Sequence, residues 1–534
     1  MEHHLTPVLS VENLDVVYIQ GKTQLHALRK FTFELQRGEL LTLIGESGSG
    51  KSTCGKAILG LLPPSAHVRE GMLKLDGSVD IDLSDSSFDW TPLRGKRIAM
   101  IYQDAQLALN PVETIRGHFQ KTMIFHNLGT AGTIEKRSRE MLKLLNFEDP
   151  DRILDAYPFE LSGGMCQRVY IALVLCLNPE ILIADEPTSA LDVVSQREVL
   201  NLLKQVKKEF ELSILLITHD IGVAYEVSDR VIVLEHGSAI EEGYTNQVLL
   251  HPQKDYTRAL VDARTLLPCD LPADNGSVDL LLQIDHISKT FWKKGEQVRA
   301  LSELSFNLHK DEIIGVLGFS GCGKSTLAKC ITGLETVDTG RIIYHGIDIT
   351  HLQGKQRRWI CKSLQIVFQD ARASLNPRRT ALQLVQEPLK YLGIGTRKEH
   401  EEKACYYLSQ VGIDLDAQKR RPPQLSTGQC QRVALARALV VEPEVLVCDE
   451  AVSALDMILQ KQILILLQEL QKLWGFALIM ISHDIRIVRN ICQMAAIMKD
   501  GKLVELLPTN CLEKSEDIYT RTLMNSELRI DDEE

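Results

Sequence analysis

Leu40-Leu41-Thr42-Leu43-Ile44-Gly45-Glu46-Ser47-Gly48-Ser49-Gly50-Lys51-Ser52-Thr53 runs a largely apolar strand straight into the pattern GxxxxGK(S/T). The arrangement returns 273 residues later as Ile313-Ile314-Gly315-Val316-Leu317-Gly318-Phe319-Ser320-Gly321-Cys322-Gly323-Lys324-Ser325-Thr326. A glycine-rich turn between a strand and a helix points backbone N–H groups inward, where they hold the β- and γ-phosphates of a nucleotide. The helix that follows adds its positive N-terminal end. Lys51 and Lys324 supply a cation to the phosphate oxygens, and Ser52 and Ser325 a hydroxyl ligand for Mg²⁺. Two such loops, each between strand and helix, predict two ATP sites.

Working outward, each loop is followed by the same polar punctuation in the same order. Gln103 and Gln369 end apolar runs. Leu161-Ser162-Gly163-Gly164 and Leu425-Ser426-Thr427-Gly428 come next. The strands Ile181–Ala184 and Val445–Cys448 then end in Asp185-Glu186 and Asp449-Glu450, and His219-Asp220 and His483-Asp484 close the set. Burying acids without partners is costly. A metal and a bound nucleotide relieve that cost, so Asp185 and Asp449 are expected to support Mg²⁺. Glu186 and Glu450 are expected to polarise the attacking water.

The two halves align from their first strands, with Val11–Tyr18 matching Ile284–Phe291 at the same offset of 273; by the LSGG and LSTG elements the offset has fallen to 264. Most of the difference lies before Gln103, where SVDIDLSDSSFDWTP is longer than its counterpart and reads as a surface loop. The expected domains are 1–265 and 280–534, joined by a polar Pro- and Gly-containing linker over 266–279. Strands alternate with amphipathic helices, which predicts an α/β fold with a mostly parallel sheet in each half. Between Gln103 and Leu161 the period turns helical, as in Met141, Leu142, Leu144 and Leu145; the matching zone is roughly 380–422. Each zone is expected to be a helical subdomain inserted into the α/β core.

The chain has 534 residues, a net charge of −11 and 12 cysteines with no CxxC pair. An acidic chain argues against a broad nucleic-acid surface. The cysteines read as reduced, buried thiols, with zinc or iron–sulfur ligation unsupported. No apolar stretch reaches the ~18 residues of a membrane span, and residues 1–10 lack the pattern of a secretory signal. The expected location is therefore cytosolic, with any membrane role exercised through a partner.

Leu161-Ser162-Gly163-Gly164-Met165, followed by Gln167-Arg168, resembles the signature sequence of ATP-binding cassette (ABC) ATPases, as do Ser189-Ala190-Leu191-Asp192 and Ser453-Ala454-Leu455-Asp456. The resemblance covers nearly the whole chain. It implies two tandem P-loop NTPase domains of the ABC type. His219 and His483 match the family's switch histidine, and Gln103 and Gln369 its Q-loop glutamine, near Mg²⁺. Tyr18 and Phe291 stand where the family stacks a ring on adenine. Gly45, Ser47, Gly48, Gly50 and Thr53, with Gly318, Ser320, Gly321, Gly323 and Thr326, complete the expected phosphate contacts. The family also implies head-to-tail closure on two ATP molecules, in which Ser162, Gly163 and Gly164 face the nucleotide on Lys324 while Ser426 and Gly428 face the one on Lys51. Thr427 departs from the family's glycine. Its β-branch is expected to restrict the backbone and crowd the phosphate, slowing hydrolysis at Lys51.

Leu109-Asn110-Pro111, Leu375-Asn376-Pro377 and His251-Pro252 with Tyr256-Thr257 resemble the ATPases of peptide and nickel importers. That resemblance implies the energy-coupling subunit of a bacterial importer on the cytoplasmic face of the inner membrane. Two permease subunits would be its direct partners, and an extracytoplasmic solute-binding protein an indirect one. The cysteine-bearing C-terminal extension of some members is missing, so no iron–sulfur cluster is expected. The alternative is a soluble twin-cassette translation factor acting on the ribosome; the short, non-basic linker speaks against it.

Overall fold

The computed structural model describes residues 7–20, 23–76, 79–189, 191–264, 279–293, 296–352, 354–453 and 455–528. The expected linker lies outside them except for Asp279, as do Ala190, Ala454 and the acidic residues 531–534. Contacts divide the chain into two compact units, one of the described residues up to Arg264 together with Leu528, the other of those from Asp279 to Glu527.

In the first unit a six-stranded sheet runs in the order Ser238–Tyr244, Arg230–Glu235, Leu40–Ile44, Ser213–Thr218, Ile181–Asp185, Ile98–Ile101. Every pairing is parallel except the outermost one, of 238–244 with 230–235. The three central strands are buried along their whole length, as sheets covered on both faces must be. Their side chains alternate between two cores. Leu40, Leu182, Ala184, Ile214 and Leu216 face a core shared with the inserted helices. Leu41, Leu43, Ile183, Leu215 and Ile217 face a second core containing Cys54, Ala57 and Ile58 of the helix Lys51–Ile58. A period of two thus builds two cores from one set of strands.

The second core is closed by a four-stranded antiparallel sheet, in the order Thr23–Gln36, Pro7–Gln20, Ala66–Leu75, Val79–Asp82. The sequence reading anticipated its first strand but not the sheet. It also took the long stretch before Gln103 for a surface loop. In fact Ile81 and Leu83 of that stretch are buried in the second core, and Phe88 and Trp90 pack against it. Gly60 (φ 61°) lies under the Trp90 ring, where a Cβ would come within 2.2 Å of the indole nitrogen.

The helical zone is present as Ile115–Phe125, Ala131–Leu144, Pro150–Asp155 and Gly163–Leu175. Leu142 and Leu145 are buried, and Met141 and Leu144 pack at the edge of the core.

The second unit repeats the plan. Its six-stranded sheet runs Leu364–Val367, Val445–Asp449, Ala477–Ile481, Ile313–Leu317, Met494–Lys499, Lys502–Pro508, with only the last pair antiparallel. A four-stranded antiparallel sheet and the helices Ala381–Leu392, Arg397–Gln410 and Thr427–Leu439 complete it. No helix among the described residues is long and apolar enough to cross a membrane.

Candidate active site

Each glycine-rich turn sits between the C-terminal end of an interior parallel strand and the first turn of a helix. Gly50 (φ 107°) and Gly323 (φ 106°) cap the helices Lys51–Ile58 and Lys324–Ile331 in the left-handed region. A Cβ on Gly50 would meet the Ala27 carbonyl at 2.3 Å, and one on Gly323 the Ala300 carbonyl at 2.2 Å. Glycine is required there by both conformation and space.

Lys51 and Lys324 are buried, at 5% and 6% exposure, and turn back over their own loops. Lys51 Nζ donates to the Gly45 and Glu46 carbonyls at 2.8 and 2.7 Å. Lys324 Nζ donates to Gly318 and Phe319 at 2.7 and 3.0 Å. The same residue type braces both loops from behind. Glu46 N–H donates to the Tyr256 hydroxyl, and Phe319 N–H to that of Tyr519, each at 3.1 Å. The sequence pattern gives Tyr256 no site role and does not single out Tyr519. The repeated Tyr-Thr dipeptide at 256–257 and 519–520 was the available signal.

At the ends of the next strands, Ser52 Oγ donates to Asp185 Oδ1 at 2.7 Å, and Ser325 Oγ to Asp449 Oδ1 at 2.9 Å. Burial pushes both aspartates above the usual carboxylate range, against the pull of those hydroxyls. The glutamates that follow have left-handed backbones, φ 48° in both units. For a non-glycine residue this costs roughly 1–2 kcal/mol. Hydrogen bonds from Glu186 N to Ile217 O (2.8 Å) and Glu450 N to Ile481 O (3.0 Å) hold the kink in place.

The kink brings three polar side chains together. Gln103 Nε2 donates to Glu186 Oε2 at 2.9 Å, and Gln369 Nε2 to Glu450 Oε2 at 2.9 Å. His219 Nδ1 lies 3.0 Å from Glu186 Oε1, whereas His483 Nδ1 lies 3.6 Å from Glu450 Oε1. Burial acts upward on both glutamates, but the adjoining histidine, with the loop lysine, outweighs it and holds them low. Burial acts downward on His219 and His483, and the carboxylates override it and raise both. Each pair therefore favours the imidazolium–carboxylate form. Glutamine, glutamate, histidine, aspartate, serine and lysine thus converge within each unit.

The signature residues begin helices. Ser162 caps Gly163–Leu175, its hydroxyl accepting from Met165 N at 3.3 Å. Ser426 caps Thr427–Leu439 the same way from Gln429 N at 3.2 Å, with Gln429 Oε1 returning a contact to Ser426 N. Thr427 occupies the first helical position, as Gly163 does, and neither has positive φ. The expected backbone restriction by the β-branch is therefore corrected, since a first-turn helical position accepts threonine. Thr427 is exposed at the start of its helix.

Tyr18 is half-buried and its hydroxyl contacts Thr53 Oγ1 at 3.4 Å. Phe291 is 37% exposed, with Lys289 Nζ 5.2 Å from its ring centre.

Mg²⁺ fits the oxygen set of Ser52, Gln103 and Asp185 and its counterpart Ser325, Gln369 and Asp449. Among the described residues no cluster of three or more His, Cys, Asp or Glu stands ready to hold a metal alone, so nucleotide phosphates would have to complete the shell. A pH prediction follows for Asp185. With its carboxyl raised above its unfolded value, the ionised form costs stability at neutral pH; that cost shrinks as pH falls through the raised value and is gone below the unfolded one. Asp185→Asn is therefore expected to raise the Tm of the metal-free chain near pH 7 but not near pH 4. In the unaltered chain, Mg²⁺-dependent tightening of ATP should weaken on acidification above the usual carboxylate range. Thermal shift with and without Mg²⁺ checks both, and an unchanged metal-free Tm at pH 7 would count against the assignment.

The family model described as ABC transporter matches residues 28–189 and 301–453. The glutathione import ATP-binding protein GsiA of Pectobacterium atrosepticum is 36% identical over 556 residues, covering 97% of this chain and 89% of that protein. GsiA of Escherichia coli O157:H7 is 36% identical over 553 residues, with the same coverage of 97% and 89%. A dimeric post-hydrolysis structure of the ATP-binding cassette MJ0796 with ADP and Pi is 28% identical, at 43% of this chain, 99% of that one and a TM-score of 0.41.

Proposed function

Because the chain belongs to the ABC transporter family, we propose that it is the ATP-hydrolysing, energy-coupling subunit of a bacterial importer for peptide-class solutes. The observation that carries this reading is its similarity, over 97% of its length, to proteins named as glutathione import ATP-binding proteins. Glutathione is a short peptide, which favours that cargo class over nickel. The ribosomal alternative has no support from these relatives.

In this reading Lys51 and Lys324 neutralise the β- and γ-phosphates, and the loop N–H groups hold them. Tyr18 and Phe291 stack on the adenines. Ser52, Asp185 and Gln103, or Ser325, Asp449 and Gln369, would hold Mg²⁺, which would supply charge neutralisation at the γ-phosphate. Glu186 and Glu450 orient the attacking water and accept its proton, and the paired His219 and His483 bear on the γ-phosphate side. The two cassettes close head to tail, with the helix beginning after Ser162 completing the Lys324 site and that after Ser426 the Lys51 site. The complex sits peripherally on the cytoplasmic face of the inner membrane beneath two permease subunits, with a solute-binding protein outside.

Affinity capture of the tagged full chain from detergent-solubilised membranes tests this. Co-purified multi-span proteins, with ATP turnover rising when a peptide-loaded binding protein is added, are the expected result. Ribosomal RNA in their place would reject it.

A further inference from the structure

Directly after each switch histidine comes an aspartate. Asp220 N donates to Thr218 Oγ1 at 3.0 Å, and Asp484 N to Ser482 Oγ at 2.9 Å. Asp220 Oδ1 in turn accepts from Gly222 N at 2.7 Å, and Asp484 Oδ1 from Arg486 N at 2.9 Å, so each carboxylate caps the short helix that follows. His219 and His483 therefore sit in turns whose shape depends on where the aspartate is held. Each aspartate also has a guanidinium, but the two units draw it from different places.

In the second unit the guanidinium is local. Arg486 donates from Nε to Asp484 Oδ1 at 3.0 Å and from Nη2 to Oδ2 at 2.6 Å. The aligned residue of the first unit is Gly222, which has no side chain to offer. Arg264 arrives instead from the end of the helix Asp255–Arg264. Its Nη1 donates to Asp220 Oδ1 at 3.2 Å, and its side chain is 9% exposed. The guanidinium lies over Gly222, where a Cβ would come within 1.6 Å of Nη1. Gly222 has no positive φ, so space rather than conformation calls for glycine there. At the position aligned with Arg264 the second unit has Glu527, an acid that lies 3.4 Å from Arg489 Nη1. The same ion pair is thus built from two unaligned positions. Its chemistry explains why it is kept. An unbalanced carboxylate beside His219 would compete with Glu186 for the imidazolium. Arg264 takes up that charge and fixes the cap, which leaves Glu186, 3.0 Å away, as the partner of His219.

We propose that Arg264 is a positioning residue for ATP hydrolysis at the Lys51 site, holding His219 against Glu186 through Asp220. The Lys324 site carries its equivalent, Arg486, within its own histidine turn. The Lys51 site instead depends on the last described residue before the linker, at the point where the chain leaves for the second unit. The proposal rests on the reading of His219 as a member of the Lys51 site and adds the residue that sets its place.

The test reads the two sites separately in one sample. Full chains in native membranes are given Mg²⁺, ATP and orthovanadate, which traps a site that has hydrolysed ATP, and are irradiated so that the loop holding the trapped complex is cut. Cuts within 45–52 and within 318–325 leave fragments of different length. Arg264→Met keeps an apolar stem over Gly222 and removes the guanidinium. It is expected to lower cutting of the first loop about tenfold and that of the second by less than about twofold, the loss that misplacing a group near the reacting atoms produces. ATP affinity and the nucleotide-free Tm should hold, which a general loss of packing would not allow. Arg264→Ala with Gly222→Arg copies the second unit's arrangement into the first and should restore cutting of the first loop. Unchanged first-loop cutting, an equal fall at both loops, a parallel loss of ATP affinity, or a folded double variant that restores nothing overturns the proposal. His219→Ala separates the two readings. If it abolishes first-loop cutting while Arg264→Met does not lower it, only the role of Arg264 falls; if it too leaves cutting intact, the reading of His219 falls with it.

Discussion

Glu450→Gln is expected to cut steady-state ATP hydrolysis by the membrane-bound complex about a hundredfold, the lower end of what a positioned general base contributes. Glu186→Gln should reduce it only about twofold to threefold, because in the proposed closure the Lys51 site is already the slower of the two. Two differences between the units point this way. The signature proposed to face Lys324 presents Gly163, whereas the one proposed to face Lys51 presents the exposed branched side chain of Thr427. Glu186 is also held in a 3.0 Å contact with His219, whereas Glu450 stands 3.6 Å from His483 and is freer to take up a water. Both sites keep their glutamate, glutamine and histidine, so neither is chemically disabled. Thr427→Gly should speed the Lys51 site and make the Glu186→Gln loss grow. Turnover of the three variants decides it: a greater loss from Glu186→Gln than from Glu450→Gln would refute the asymmetry. Equal losses would place the control outside Thr427.

The residues of the two sites were legible because chemistry fixes both their type and their order. A glycine-rich turn before Lys51, acids after a buried strand and a serine before a helix can each occur by accident singly. Their recurrence around Lys324 cannot be read so. What escaped were features that obscure a period or leave composition unchanged. The antiparallel sheets were missed because their strands are bulged. Asn13 (φ 53°) and His286 (φ 49°) occupy equivalent places, and the pairing register shifts between Val11 and Leu14 and between Ile284 and Ile287. Each bulge swaps the faces of the strand and erases the alternation on which a strand reading rests. The left-handed glutamates left no trace because their letters are those of an ordinary strand end; only long-range bonds to Ile217 and Ile481 impose the conformation. Tyr256 and Tyr519 reach their loops from more than 190 residues away in sequence, a tertiary relation that no local pattern carries.

Replacing both loop lysines is expected to weaken ATP binding at both sites. Each ammonium is nearly buried and now rests on two carbonyls of its own loop. A phosphate offers it a charge-assisted partner that the carbonyls do not. Hydrogen bonds to charged groups contribute about 1.5–3 kcal/mol, so one Lys→Ala change should weaken its own site by about 10- to 150-fold. Since the units carry complete and separate loops, Lys51→Ala and Lys324→Ala should each leave about one high-affinity nucleotide per chain, a stoichiometry that isothermal titration can count. Lys→Arg should not rescue either site, because a planar fork does not fit where a compact ammonium meets the carbonyls of Gly45 and Glu46. Losing the lysine also strips those carbonyls of their donor, so collapse of the loop would lower binding as well. The Tm of the nucleotide-free variants separates the two, with a folded loop expected to melt within a few degrees of the parent. Retention of two tightly bound ATP molecules by the folded double variant would remove the lysines from the phosphate site.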